Sequence, residues 1–374
     1  MRYRSAVGRL AAGIQRRWRS ARQARSTSVR RIQRLTKHAI VYANFIDLAP
    51  TLLRRVMRTP PPISVNVIEA ALRDAFAMKQ PHLTFVRGGE EAWAFNVASA
   101  EGAFHLKIYS SADDLLLERL DACLALRTAL DTASVVSAVP TRAGSLMFQV
   151  AGFNAALFPY VLAMPFRKLE WTQEQSTAVG RLLARIHAAP LDVPLAAESF
   201  STGAADAAQK VIDALLAALE SANPVHHATA RLLLPCEGAL RREIDRLRRA
   251  SETVRHTPAA MVVCHGDLTW DNVLFGPEPY LIDWDDMLYA PKERDLMFYA
   301  DPNDPVLEAY GQAGGDTRLD ADALMYYRAL WNNEEVADFG GRLLFGTHSA
   351  AQNDHDLAQL GNFLIYSGLD ARAT

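Results

Sequence analysis

Beyond three prolines at positions 60–62, apolar residues recur first at helical and then at strand spacing. Val67, Ile68, Ala71, Leu72 and Phe76 share one face of a helix that Ser64 is placed to cap. The period then shortens to two. Residues 84–87 read as a strand and the Gly-Gly-Glu-Glu stretch at 88–91 as a turn. Trp93, Phe95 and Val97 alternate as a second strand, and residues 103–109 as a third. On that third strand Phe104, Leu106 and Ile108 face one way and His105, Lys107 and Tyr109 the other. The pattern predicts a three-stranded antiparallel meander.

Ser111, with Asp114 three residues on, resembles a capping box. The helix it opens carries Leu115, Leu116, Leu117, Glu118, Leu120 and Leu124 and runs to about Leu130. Short strands are expected at 134–139 and 146–150, and the Phe-Pro-Tyr-Val segment at 158–161 reads as the crossing into a second lobe. Helical patterns then dominate, at 172–188, 204–221, 226–257 in pieces, and several times after Pro305. A hairpin interrupts them, with strands near 273–275 and 280–284 around Gly276-Pro-Glu-Pro279. The fold class expected is α+β. Residues 57–160 form a small β-rich N-lobe and residues 161–374 a larger, mostly helical C-lobe.

Composition adds bounds. The chain has 374 residues, half of them hydrophobic, enough for a sizeable core in two lobes. Charges or prolines break every apolar run well short of the roughly 18 residues of a membrane span. Three scattered cysteines without a CxxC pair argue against a disulfide framework or zinc site and fit a cytoplasmic protein. The net charge of −2 hides a split: residues 1–56 hold 14 Arg or Lys against one acid, Asp47, and the remainder 26 basic and 41 acidic residues. The basic leader reads as a targeting or membrane-surface segment, a nucleic-acid tail, or an extension outside the folded unit with Met57 as a natural beginning. The acidic body suits a cationic ligand and predicts no nucleic-acid partner. Oligomeric state leaves no mark in the pattern.

The chemistry concentrates in residues 264–286. His265-Gly266-Asp267 is followed by Asn272 and, across the short hairpin, by Asp283. A loop and hairpin of that length bring the amide and the second carboxylate side by side. Mg²⁺ takes oxygen ligands and keeps several waters, so Asn272 and Asp283 suffice as a protein contribution. Asp267 is then placed to orient an acceptor hydroxyl and take its proton. The spacing H-x-D-x-x-x-x-N, with a later Asp, is the catalytic-loop pattern of protein kinases. No G-x-x-x-x-G-K-[ST] and no G-x-G-x-x-G is present.

The run His265-Gly-Asp-Leu-Thr-Trp-Asp-Asn272, with Leu281-Ile-Asp-Trp-Asp285, resembles the aminoglycoside phosphotransferase and choline kinase superfamily. Ala290-Pro-Lys-Glu-Arg-Asp-Leu-Met-Phe298 resembles the continuation in its spectinomycin phosphotransferase branch. Gly180-Arg-Leu-Leu-Ala-Arg-Ile-His-Ala188, Tyr326-Tyr-Arg, Trp331 and Glu334-Glu-Val-Ala-Asp-Phe339 are similar to later helices of the same family. The resemblance spans about residues 57–360 and implies a protein-kinase-like bilobal fold with ATP or GTP, as co-substrate with Mg²⁺, in the cleft. It implies that Lys107 contacts the nucleotide phosphates and that Glu118, with Asp114 and Asp121 as rivals, pairs with this lysine. Gly88 and Gly89 would cover the nucleotide. At the hinge Pro159 has no N–H, so adenine would depend on the backbone near Tyr160 and Val161.

In the catalytic loop His265 accompanies Asp267, with Gly266 where protein kinases carry an arginine, so activation-loop phosphorylation is not expected. Asp285, Asp286, Trp270 and Glu335 would contact the acceptor, with Glu334, Asp338 and Trp331 lining the same cleft, and Asp295 would hold the loop by hydrogen bonds. The implied activity is O-phosphorylation of a small amino-bearing molecule such as an aminoglycoside or aminocyclitol, a form of antibiotic resistance. Alternatives are a metabolic kinase of the homoserine, choline or methylthioribose type, or an inactive nucleotide-binding protein.

Overall fold

The alternating segment forms three antiparallel strands, β1 (His82–Val86), β2 (Ala92–Ser99) and β3 (Gly102–Tyr109). They belong to a computed structural model that describes residues 60–87, 92–110, 113–166, 170–257 and 259–369. The basic segment 1–56, the turn glycines Gly88 and Gly89, and Ser111 lie outside the described residues. Helix α1 (Val65–Phe76) precedes the meander and buries Ile68 and Leu72. Val67, expected on that face, is exposed, and Ser64 stands at the N-cap without a side-chain bond.

Two further strands, β4 (Phe148–Val150) and β5 (Phe153–Pro159), complete a five-stranded sheet in the order β1-β2-β3-β5-β4. Period-two alternation gives the sheet two apolar faces. Phe95, Val97, Leu106, Ile108 and Leu157 pack with Ile68 and Leu72 of α1. On the other face Ala92, Tyr109, Ala156 and Phe158 pack with Leu116 and Leu120 of α2 (Leu116–Leu130). Helix α2 starts later than Ser111 predicts: the Asp113 carboxylate accepts the Leu115 N–H at 2.9 Å, just ahead of the first turn.

Residues 134–139 do not form the expected strand. They act as a strap between the lobes. The Leu281 N–H donates to the Ser134 carbonyl at 2.7 Å, Val136 N–H to Leu281 at 3.1 Å, and Val139 N–H to Leu157 of the sheet at 2.6 Å.

The chain leaves the sheet at Pro159 and forms β6 (Met164–Pro165), which pairs with the hairpin of β8 (Val273–Phe275) and β9 (Pro279–Leu281). Helix α3 (Gln173–His187) follows a full capping box, in which Thr172 and Gln175 each bond the other's backbone N–H, at 3.2 and 2.8 Å. Thr172→Ala is expected to lower unfolding free energy by about 1 kcal/mol in a denaturant titration. The helix expected over 204–221 breaks at Ala214 into α4 (Gly203–Asp213) and α5 (Leu215–Leu219).

Next come α6 (Pro224–Leu233) and α7 (Glu237–Arg255), and then the paired strands β7 (Met261–Cys264) and β10 (Leu288–Pro291). The chain ends in α8 (Glu293–Leu296), α9 (Pro305–Gln312), α10 (Ala321–Phe345) and α11 (Ala350–Tyr366). Leu268, Val273, Leu281, Trp284 and Met287 are all buried in one cluster with the inner face of α3. The loops around β8 and β9 are therefore pinned from below by apolar side chains. Among the described residues no helix is long and apolar enough to cross a membrane.

Candidate active site

Strand β7 ends at Cys264 and delivers His265, Gly266 and Asp267 to the cleft. The loop can take its path only with glycine at 266. Its φ is +92°, and a Cβ there would lie 2.1 Å from the Asp286 carbonyl oxygen. Gly266→Ala is expected to destabilise the fold by about 2–4 kcal/mol, read as a lower thermal midpoint.

Beneath the loop Asp295 is fully buried and accepts the backbone N–H groups of His265 and Gly266 at 2.8 and 3.0 Å. It also lies 3.2 Å from His187 Nε2, whose Nδ1 is 3.0 Å from the Tyr310 hydroxyl. Burial pushes the Asp295 carboxyl up, but the His187 bond and the His265 side chain and backbone donor outweigh it, so its pKa falls below the ordinary value. Arg294 Nε donates to the Gly266 carbonyl at 2.7 Å. The buried trio His187, Cys264 and Asp295 has every donor and acceptor engaged in this scaffold, the Cys264 thiol with the carbonyls of Ala290 and Pro291.

His265 is also fully buried. Its Nε2 donates to the Ile282 carbonyl at 2.8 Å, which leaves Nδ1 to accept the Asp267 N–H at 3.3 Å. It positions Asp267 and the loop of Asp283. Asn272 closes the other side, its Nδ2 donating to the Asp267 carbonyl at 2.7 Å and to Asp267 Oδ2 at 2.8 Å. With the amide nitrogen so engaged, the network assigns Oδ1 as the outward-facing atom. Burial raises the pKa of Asp267, with the nearby Asp286 and Asp283 adding to it against His265 and Arg294.

Asp283 sits past the end of β9 and not within a strand, at φ +64°. The preceding Ile282 N–H donates to the Asn272 carbonyl at 3.0 Å, which brings the amide and the second carboxylate together. Lys107 Nζ donates to Asp283 Oδ1 at 2.5 Å and to Asp285 Oδ2 at 2.7 Å, and the Tyr109 hydroxyl donates to Asp285 Oδ1 at 3.2 Å. One expectation is corrected here: Glu118 is exposed on the first turn of α2 and makes no ion pair with Lys107. Asp285, expected at the acceptor, bonds Lys107 and Tyr109 of the sheet. Burial raises the Asp283 carboxyl, yet the Lys107 ammonium outweighs it and holds the pKa below normal. Asp285, buried beside Asp283, is pushed up to about 6 against the pull of Lys107.

At the hinge the Tyr160 N–H donates to the Ala103 carbonyl at 3.2 Å, and the Val161 carbonyl accepts from Ala163 at 3.0 Å. One backbone group of each hinge residue, the Tyr160 N–H and the Val161 carbonyl, is thus engaged within the chain. Nearer Lys107, His105 Nδ1 lies 3.2 Å from Asn96 Oδ1, and burial followed by the Lys107 charge lowers its pKa to about 4.

On the opposite side of Asp267 the cleft is acidic. The carboxyl of Glu334 on α10 is raised by burial and by Asp286, Asp267 and Glu198, with Arg294 opposing. Glu334, expected to line this cleft, thus lies within electrostatic reach of Asp267 and Asp286. Asp338 lies a turn further on and pairs with Arg342, which also binds Asp356. Trp270 packs edge-on against Phe298 and Tyr366, with centroids 6.0 and 5.2 Å away, and Trp331 packs on Phe298, Phe363 and Tyr366. Both indoles, expected to stack on an acceptor, tie α11 to the catalytic loop.

The sequence profile of the phosphotransferase enzyme family matches residues 82–327, about two thirds of the chain. The chain belongs to that family. Protein StrN of Streptomyces griseus is 26% identical over 303 residues, covering 78% of this chain and 89% of that protein. The crystal structure of spectinomycin phosphotransferase APH(9)-Ia with ADP and spectinomycin superposes with a TM-score of 0.67 at 22% identity, over 82% of this chain and 99% of that one. Its AMP-bound complex gives 0.65 at the same identity, over 84% and 99%. The bilobal, kinase-like α+β fold is thus shared.

In this phosphotransferase Arg294, Tyr109, Glu198 and His187 complete the site, and none was singled out from sequence. Arg294 had a signal, since it adjoins Asp295 in the motif at 290–298. Tyr109 shares the strand face of Lys107 and His187 lies in the motif at 180–188, so both had a signal; Glu198 comes from a distant segment that only the fold brings in.

Proposed function

We propose that this phosphotransferase transfers the γ-phosphoryl group of ATP or GTP to a hydroxyl of a small amino-bearing molecule such as an aminocyclitol or aminoglycoside. The reading rests on one arrangement: Asp267, braced by Asn272, shares a cleft with Asp283 and the Lys107 ammonium. Phosphoryl transfer asks little covalent chemistry of a protein and depends on positioning and charge stabilisation. Lys107 supplies a cation for the nucleotide phosphates. Asp267, its carboxyl raised by burial, is suited to hold the acceptor hydroxyl and accept its proton as the phosphorus–oxygen bond forms.

The donor set fits Mg²⁺, since Asn272 Oδ1 and the Asp283 carboxylate, 44% exposed at its open edge, are hard oxygen ligands. When bound, the ion neutralises phosphate charge. The acidic rim of Asp286, Glu334 and Glu198 favours a cationic acceptor. The spectinomycin complex of a structural relative accords with an aminocyclitol. An amino alcohol meets the same rim, so metabolic kinases remain the second reading. Nucleotide supply fits the cytoplasm. The test is phosphate transfer from Mg-ATP and Mg-GTP across aminocyclitols, aminoglycosides, amino alcohols and neutral sugars. Transfer is expected to amino-bearing acceptors; turnover confined to neutral sugars, or none anywhere, overturns the reading.

A further inference from the structure

We infer that Asp285, and not a glutamate of helix α2, is the residue that positions Lys107 for the nucleotide. The inference rests on the reading that Lys107 binds phosphates. In the structure Lys107 Nζ lies between two carboxylates of one loop, at 2.5 Å from Asp283 and 2.7 Å from Asp285. The two are not equivalent. Asp283 stands at the mouth with its side chain 44% exposed, whereas the Asp285 side chain is 16% exposed. Asp285 is also oriented from behind by the hydroxyl of Tyr109, a buried residue packed with Leu116, Leu120 and Phe158. The Lys107 ammonium further lies 5.8 Å from the centroid of the Phe158 ring.

These contacts divide the labour. Asp283 is free to turn toward a cation, while Asp285 keeps the ammonium at the junction of sheet and loop. Helix geometry excludes the alternative. Leu116, Leu120 and Cys123 face inward on α2, which puts Glu118 roughly 200° from Leu116 on the solvent side. Turning Glu118 inward would expose those leucines. The lysine anchor thus comes from the loop that carries Asp283, so Lys107 and the metal-binding carboxylate are set by one element.

The test is a double-mutant cycle on the full chain with Lys107→Met and Asp285→Asn. It reads ADP affinity without metal by calorimetry, and kcat and KM for phosphate release from Mg-ATP. Asp285→Asn is expected to lower kcat on the order of 10–10², and Asp285→Glu to recover part of the loss. In the Lys107→Met background, removing Asp285 should change kcat by no more than about twofold, because its effect passes through the lysine. Tyr109→Phe, which leaves both charges in place, should give a smaller loss of the same kind and serves if Asp285→Asn misfolds. Multiplying losses in the double variant, or a larger loss for Glu118→Gln than for Asp285→Asn, overturns the inference. Lys107→Met with unchanged ADP affinity and turnover instead refutes the phosphate role of Lys107, and the anchor falls with it.

Discussion

Asp267→Ala is expected to lower turnover on the order of 10²–10⁴ with a much smaller change in nucleotide affinity. The carboxylate is held by Asn272 Nδ2 at 2.8 Å, and burial biases it toward accepting a proton. Truncation removes that acceptor but leaves the second Asn272 bond, to the Asp267 backbone carbonyl at 2.7 Å. His265, Gly266 and Asp295 do not depend on the side chain, so the loop should keep its shape. Asp267→Asn separates charge from volume: it fills the site but cannot take the proton, and a similar loss is expected. Steady-state phosphate transfer to an acceptor found in the panel, beside a thermal melt of each variant, makes the measurement. Undiminished turnover in a folded variant would remove the base role.

What sequence could reach was set by how local each relation is. Asp267 and Asn272 lie five positions apart on one loop, and a short hairpin carries the chain on to Asp283, so spacing alone constrained all three. The meander was legible because alternation of Phe104, Leu106 and Ile108 against His105, Lys107 and Tyr109 specifies two faces. Where spacing lost its force, orientation within an element decided. Glu118 reads as the lysine partner by position, but the burial of Leu116 and Leu120 turns it outward. The packing of Trp270 and Trp331 on Phe298, Phe363 and Tyr366 is not legible in sequence because those partners are remote in the chain. The strap at 134–139 has a strand's composition but forms no ladder, only an isolated bridge from Val135 to Leu281, since it bonds Leu281 of β9 on one side and Leu157 of β5 on the other.

The second large effect concerns a residue that touches no substrate. Asp295→Ala is expected to cost about 3–5 kcal/mol of stability. The carboxylate accepts the His265 N–H, the Gly266 N–H and a bond from His187, at 2.8, 3.0 and 3.2 Å, with no water access. Its loss strands two backbone donors in a dry site directly under Asp267. At roughly 2–4 °C per kcal/mol for a domain of moderate size, the thermal midpoint should fall by about 10 °C. Asp295→Asn should lose less, because its oxygen still accepts one of the two N–H groups while its amide faces the other donor. The pH dependence has a defined sign. The folded-state pKa of Asp295 lies below its ordinary value of 3.8, so its contribution is complete above the unfolded pKa and disappears as pH falls through the folded one. The stability gap between the native chain and Asp295→Ala should therefore be widest near neutrality and close below about pH 4. A gap that stays constant down to pH 2 would mean that the loop is held by something other than this carboxylate.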